Sequence, residues 1–199
     1  MRLFQAPGRH LSRHGFPTRL LRDESGASAV EFGMLALPFL LFILAIIGYG
    51  LYFYTGTSLD YAVESAARKI RTGEVNTGGS QRSDKQMTVD EFRKLVCQSG
   101  LPGIDCTKLS VIVQHAPAWS GISPQSCTDG NGKMTGSTGS GSDLISQYSG
   151  EASDVVLVTA CYQWDLGSDF KFLKLGTGGD DSGAVIIQSA SAFKSEPYN

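Results

Sequence analysis

From Phe32 to Tyr54 the chain runs without a charge, as "FGMLALPFLLFILAIIGYGLYFY". As a helix this stretch is roughly 34 Å long at 1.5 Å per residue, a match for a hydrocarbon core about 30 Å thick. A buried helix of a water-soluble protein would show a polar face every three or four residues, and none occurs here. The apolar region of a cleaved secretory signal is about 7 to 15 residues, too short to fit. The pattern therefore predicts one transmembrane helix. Past Tyr54 it becomes amphipathic: "LDYAVESAARKIR" sets Leu59, Ala62, Val63, Ala66 and Ile70 at helical spacing and turns Asp60, Glu64, Arg68 and Arg71 elsewhere. A single helix is expected from near Asp23 or Ser25 to Gly73, its last turn basic as a helix C-terminus favours.

Beyond a polar Gly/Ser/Gln linker, "TVDEFRKLVCQSG" opens with Thr88 and Glu91 in capping-box spacing and closes at Gly100, a short second helix. "KLSVIVQH", "SDVVLVTACYQW" and "GAVIIQSASAF" read as strands, and "SDFKFLKLGTGG" before the third has room for a helical turn. Residues 116–152, centred on "TDGNGKMTGSTGSGSD", are expected to be a long mobile loop. The fold class is α+β: a long N-terminal helix packed on a small antiparallel sheet of about three strands, with a short helix.

Charge gives the chain a direction. Arg2, Arg9, Arg13, Arg19 and Arg22 crowd the first stretch, against only Asp23 and Glu24 before Glu31. Arginines ahead of the span place the N-terminus in the cytoplasm. Residues 1 to about 21, without apolar periodicity, read as a disordered leader on that side. Tyr49, Tyr52 and Tyr54 then suit the outer membrane–water interface. The part beyond the span is mildly acidic and carries no basic patch that would track nucleic acid. The four cysteines, Cys97, Cys106, Cys127 and Cys161, all fall on the exported side and contain no C-x-x-C. An oxidising compartment suggests two disulfides. Of the three pairings, Cys97 with Cys106 and Cys127 with Cys161 is favoured, the first closing a short loop and the second tying the Gly/Ser loop to a strand. Unpaired thiols are the alternative.

Glu31 stands at the head of the span, and an ionisable group at a membrane edge is a functional hypothesis by default. A helix-start acid wetted by headgroups is the plain explanation. The surrounding residues say more. Gly26, four small or apolar residues, then Glu31 and Phe32 before the span, behind a basic leader, resemble the type IV prepilin cleavage signature. With "AARKIRTG" closing the helix and "SASAFKSEPYN" at the C-terminal end, the chain resembles the TadE-like minor pilins or pseudopilins of the Tad (Flp, type IVb) pilus system. The resemblance implies a leader of residues 1–26 removed by a prepilin peptidase, with Gly26 its last residue and Ala27 the new N-terminus. It implies a transmembrane helix over 27–54, a pilin-like periplasmic domain over 55–199, and Glu31 as a docking group, with Pro38 loosening the helix. The implied partners are the inner membrane, the peptidase, other minor pilins, the major Flp pilin and the assembly platform, in the service of adhesion and biofilm formation. An uncleaved periplasmic scaffold and an exported adhesive module are the rival readings.

Catalytic and metal chemistry find no foothold. Of the three histidines, His10 and His14 sit in the leader and His115 stands alone on the exported side, so no Ser-His-acid or Cys-His set assembles. "TDGNGK" lacks the later glycine and terminal glutamate of a calcium loop. The glycines of "GSTGSG" do not sit between a strand and a helix as a phosphate cradle requires, and Asp180 with Asp181 read as a solvated turn. No enzyme activity, cofactor or metal is expected.

Overall fold

The computed structural model describes residues 26–77, 86–100, 104–129, 131–168 and 184–197. The leader before Gly26, and with it the expected helix start near Asp23 or Ser25, lies outside the described residues. The chain falls into two compact units, Met1–Leu44 and Ala45–Asn199. Helix α1 (Ala27–Arg71) supplies all the regular structure described in the first and opens the second.

From Leu59 onward α1 is amphipathic. Leu59, Ala62, Val63, Ala66, Ala67 and Ile70 are buried, while Asp60, Glu64, Arg68 and Arg71 stay exposed. Each buried Leu, Val or Ile is worth about 1.5–3 kcal/mol of apolar burial. The helix stops where the backbone turns left-handed at Gly73, φ 75°, whose N–H donates to the Ile70 carbonyl at 3.0 Å. The linker expected here begins with another turn, α2 (Glu74–Thr77), because Val75 is fully buried in the core.

Three strands form an antiparallel sheet in the order β1-β2-β3: β1 (Leu109–Ala116), β2 (Val155–Trp164) and β3 (Val185–Lys194). Leu109 pairs with Tyr162 and Ala116 with Val155 on one side of β2; Trp164 pairs with Val185 and Val155 with Lys194 on the other. The period of two sends Leu109, Val111, Val113, Val156, Val158, Ala160, Val185 and Ile187 to the face that packs with α1. The opposite face holds Ile112 and Cys161, packed with Cys127 and, in part, Met134 and Ile186. Central strand β2 is buried on both faces. A 3-10 turn, Asp165–Ser168, follows β2, and the helical turn expected in "SDFKFLKLGTGG" lies, apart from Ser168, outside the described residues.

Helix α3 (Val89–Ser99) shows why the Gly/Ser segment does not hang free. Its capping box is complete: the Thr88 hydroxyl accepts from the Glu91 N–H at 3.2 Å, and the Glu91 carboxylate accepts from the Thr88 N–H at 3.0 Å. The two remaining N-terminal donors go to the loop, Val89 N–H to the Asp143 carbonyl at 2.9 Å and Asp90 N–H to the Gly141 carbonyl at 3.0 Å. All the orphan donors of this helix start are thereby satisfied. Further along, Thr138 N–H bonds the Val111 carbonyl at 3.1 Å and the Thr138 hydroxyl accepts from Val113 N–H at 2.7 Å, covering the outer edge of β1. Two glycines of this string are there for room. A Cβ on Gly139, φ 57°, would strike the Tyr148 hydroxyl, and one on Gly141 would strike the Asp90 carboxylate.

Two disulfides finish the stitching, Cys97–Cys106 between α3 and the turn before β1, and Cys127–Cys161 between the Gly/Ser segment and β2. On the chain-entropy model the shorter loop is worth about 3 kcal/mol and the longer about 4 kcal/mol. Short helix α4 (Ser146–Ser149) closes the segment before β2.

The loop's anchor is pH-dependent. The Ser140 N–H at 2.8 Å and the Tyr148 hydroxyl at 2.9 Å hold the Asp143 carboxyl below its ordinary range. A depressed carboxylate lends its stability above the unfolded value, about 3.9, and loses it as pH falls through the lower folded value. Protection of the Val89 and Asp90 amides, taken as their exchange relative to the unfolded-chain rate at each pH, is therefore predicted to weaken as pH drops below about 3.9, and to be weak already at neutral pH in Asp143→Asn. Equal protection of these amides in wild type and variant would show that Asp143 does not hold the segment.

Candidate functional site

The N-terminal part of α1 has a surface no water-soluble protein could leave bare. Phe32, Met34 and Leu35 are each more than 70% exposed, and Val30, Leu37, Phe39, Leu40 and Phe42 are exposed beside them. The helix is long and apolar enough to cross a membrane, with a mean hydropathy of 2.5 over its most apolar window and none of that window buried within the molecule. Such an area fits membrane anchoring or contact with other helices.

Gly26 directly precedes α1 and Ala27 is its first residue. Glu31 sits one turn into the helix, exposed, with Phe32 exposed after it. Among the described residues Glu31 has no ion-pair or hydrogen-bond partner. No other Asp, Glu, Lys or Arg occurs between Gly26 and Asp60. Nothing lies within 4 Å of a Cβ built on Gly26 or Gly33, so neither glycine is required by its own chain's packing. Pro38 lies inside the helix and has no N–H, which leaves the Met34 carbonyl without its normal intrahelical donor.

At the other end of the apolar run, Tyr52 is half buried, its ring 6.0 Å from that of Trp164 at 60°, an edge-on contact with the end of β2. Of the three tyrosines assigned to the membrane interface, Tyr49 and Tyr54 are exposed, whereas Tyr52 anchors the helix to the sheet. Its spacing alone could not reveal that, because the partner is more than a hundred residues away in sequence.

Other polar contacts also join residues apart in the sequence. Arg71 and Glu196 pair at 3.1 Å, and the Glu196 N–H donates to the Arg71 carbonyl at 3.1 Å, joining the "AARKIRTG" and "SASAFKSEPYN" stretches. Both side chains are about half exposed, so the ion pair itself adds little and the backbone bond sets the position. Lys108 bridges Asp165 and Asp105, and the bond to Asp165 raises the Lys108 pKa. Asp105 is held below its ordinary value chiefly by the Thr107 hydroxyl, a local Asx turn that the "DCT" spelling could have signalled. His115 meets Asp154 at 3.1 Å. Among the described residues no group of three His, Cys, Asp or Glu side chains is placed to hold a metal ion.

A single apolar helix fit for membrane anchoring, continuing into a disulfide-bonded α+β domain, defines the class of protein. Residues 26–68 match the family model of TadE-like proteins, so this stretch of the chain is similar to that family. The match takes in Gly26, Ala27, Glu31, Phe32 and Pro38 and ends within α1; the sheet and both disulfides lie beyond it. No curated protein and no solved structure matches the chain.

Replacing Pro38 restores a donor for Met34. In micelles, Pro38→Ala is predicted to slow exchange of the amides at residues 39–42 about threefold or more, since Pro inside a helix costs about 3 kcal/mol. Unchanged exchange would mean that the proline does not loosen this stretch.

Proposed function

We propose that the chain is a TadE-like minor pilin or pseudopilin, cut after Gly26 by a prepilin peptidase and assembled through α1 into a Tad pilus structure. The observation that carries this reading is Glu31, a lone carboxylate on a bare apolar helix with no partner among the described residues of its own chain. Cleavage after Gly26 would create an α-amino group at Ala27, with an intrinsic pKa of about 7.7–8.0, one helical turn from that acid. When such helices pack side by side, the ammonium of one copy would meet the Glu31 carboxylate of the next. At 4 Å and an effective dielectric near 20 the attraction is roughly 4 kcal/mol before desolvation. Desolvation offsets much of it, so the pair acts mainly to set which helices dock and at what height. The anchor would sit in the bacterial inner membrane with its N-terminus cytoplasmic and residues 55–199 periplasmic, as the leader arginines suggest.

The rival adhesive reading needs a free Gly/Ser loop, and the bonds of Thr138, Gly141 and Asp143 back to their own domain weigh against it. The uncut scaffold is separated by experiment. In cells with an active peptidase, intact mass of the membrane-extracted protein is predicted to start at Ala27, and Gly26→Ala to leave the leader attached and abolish assembly. Because a Cβ at Gly26 meets nothing within 4 Å, such a loss reflects recognition and not folding. A full-length wild-type chain, or an assembling Gly26→Ala variant, would support the scaffold instead.

A further inference from the structure

The second compact unit begins at Ala45, so the last part of the apolar run, 45–54, folds together with the sheet. Ile46, Ile47, Phe53 and Tyr54 are exposed on this part of α1. The edge-on contact of Tyr52 with Trp164 brings the end of β2 to the same level, about 3 Å short of the end of the run. The turn Asp165–Ser168 continues from there, and Leu166 on it is 47% exposed, an aliphatic side chain left open two residues past a buried tryptophan. Lys108, beside the start of β1, pairs with Asp165 and Asp105, so these charges are spent on one another with one acid in excess. The other end of β2 lies about 30 Å away. There Val155 pairs with Ala116, and Trp119 follows, 59% exposed. A Cβ on Gly121 would lie 3.0 Å from that of Ala116, which keeps the Trp119 turn at that end.

We propose that Leu166 and the turn carrying it dip into the bilayer surface, giving the domain a second point of lipid contact beside the span. The inference rests on the reading of α1 as a membrane span, and not on removal of the leader. Its ground is level: Trp164 and Tyr52 meet where the exposed apolar surface of the helix ends, and these are the side chains that a membrane–water interface favours. Leu166 leaves the sheet at that height, where a leucine buries itself at the boundary of headgroups and acyl chains. A lone helix lets the domain swivel about its axis, whereas a second contact fixes which end and edge of the sheet face the lipid. With its charges already paired and one acid in excess, the turn offers anionic headgroups nothing to bind. The contact is therefore apolar and insensitive to salt. A copy drawn out of the bilayer gives it up together with the span.

The test uses the full chain with both disulfides closed, in phosphatidylcholine vesicles, carrying one nitroxide label at Ile46→Cys, Leu166→Cys or Trp119→Cys. All three side chains are exposed, so none of the substitutions opens the core. Electron paramagnetic resonance reads collisions of the label with oxygen, which concentrates in lipid, against those with a water-soluble nickel chelate. The oxygen-to-nickel ratio at position 166 is expected to exceed that at position 119 by roughly fivefold or more and to approach that at position 46. Molar salt and added phosphatidylglycerol should leave it unchanged. A ratio at 166 no higher than at 119, or one that collapses in molar salt, would overturn the contact. So would a high ratio that is lost on dilution with lipid, because a second copy would then be the cover. The label at 46 separates the two claims. A low ratio there removes the span and this contact together, whereas a high ratio at 46 with a low one at 166 leaves the span standing and removes the contact alone.

Discussion

One helix in this molecule has to satisfy two solvents. Over its first turns α1 exposes nearly every apolar side chain it carries, and further on it buries Leu59, Val63, Ala66 and Ile70 against a sheet. Neither part explains itself alone. An apolar surface of this size is unfavourable in water by about 25 cal/mol per Å², so the first part needs lipid or neighbouring helices. The second part needs the sheet, because an amphipathic helix draws its stability from packing more than from propensity. Tyr52 against Trp164 is where the packed part meets the end of β2.

The small domain then has to be stiff enough to hold that helix. Three strands and short helices give a limited core, and the chain compensates with covalent and polar stitching. The Gly/Ser segment spends its polar groups on the start of α3 and on the exposed edge of β1, and the Cys127–Cys161 bond pins its middle to the buried strand. What looks like filler in the sequence is the cover of one face of the sheet. Its glycines are present because side chains of Tyr148 and Asp90 occupy the space that a Cβ would need.

Much of this was legible from pattern alone. The apolar run, the amphipathic continuation, the Thr88–Glu91 cap and the three strands are all local or periodic signals, and the structure contains each of them. The ordered path of the Gly/Ser segment was not legible, because composition reports the freedom of the chain and not the partners that remove it. The role of Tyr52, the Arg71–Glu196 join and the burial of Val75 were hidden for a related reason: each depends on a residue distant in sequence. At the candidate site, Gly26, Glu31 and Pro38 could be picked out early because a charge, a glycine and a proline stand out against an apolar background.

The account turns on whether Glu31 acts as a charge. Glu31→Gln keeps its shape and removes the ion, so the most direct measurement is the rate at which this variant enters pili beside wild type in the same cells. Loss of even about 1.4 kcal/mol of docking is a tenfold effect, and the account predicts incorporation slowed at least that much while the leader is still removed. Incorporation at the wild-type rate would contradict it, and the carboxylate would then be no more than an acid resting among lipid headgroups.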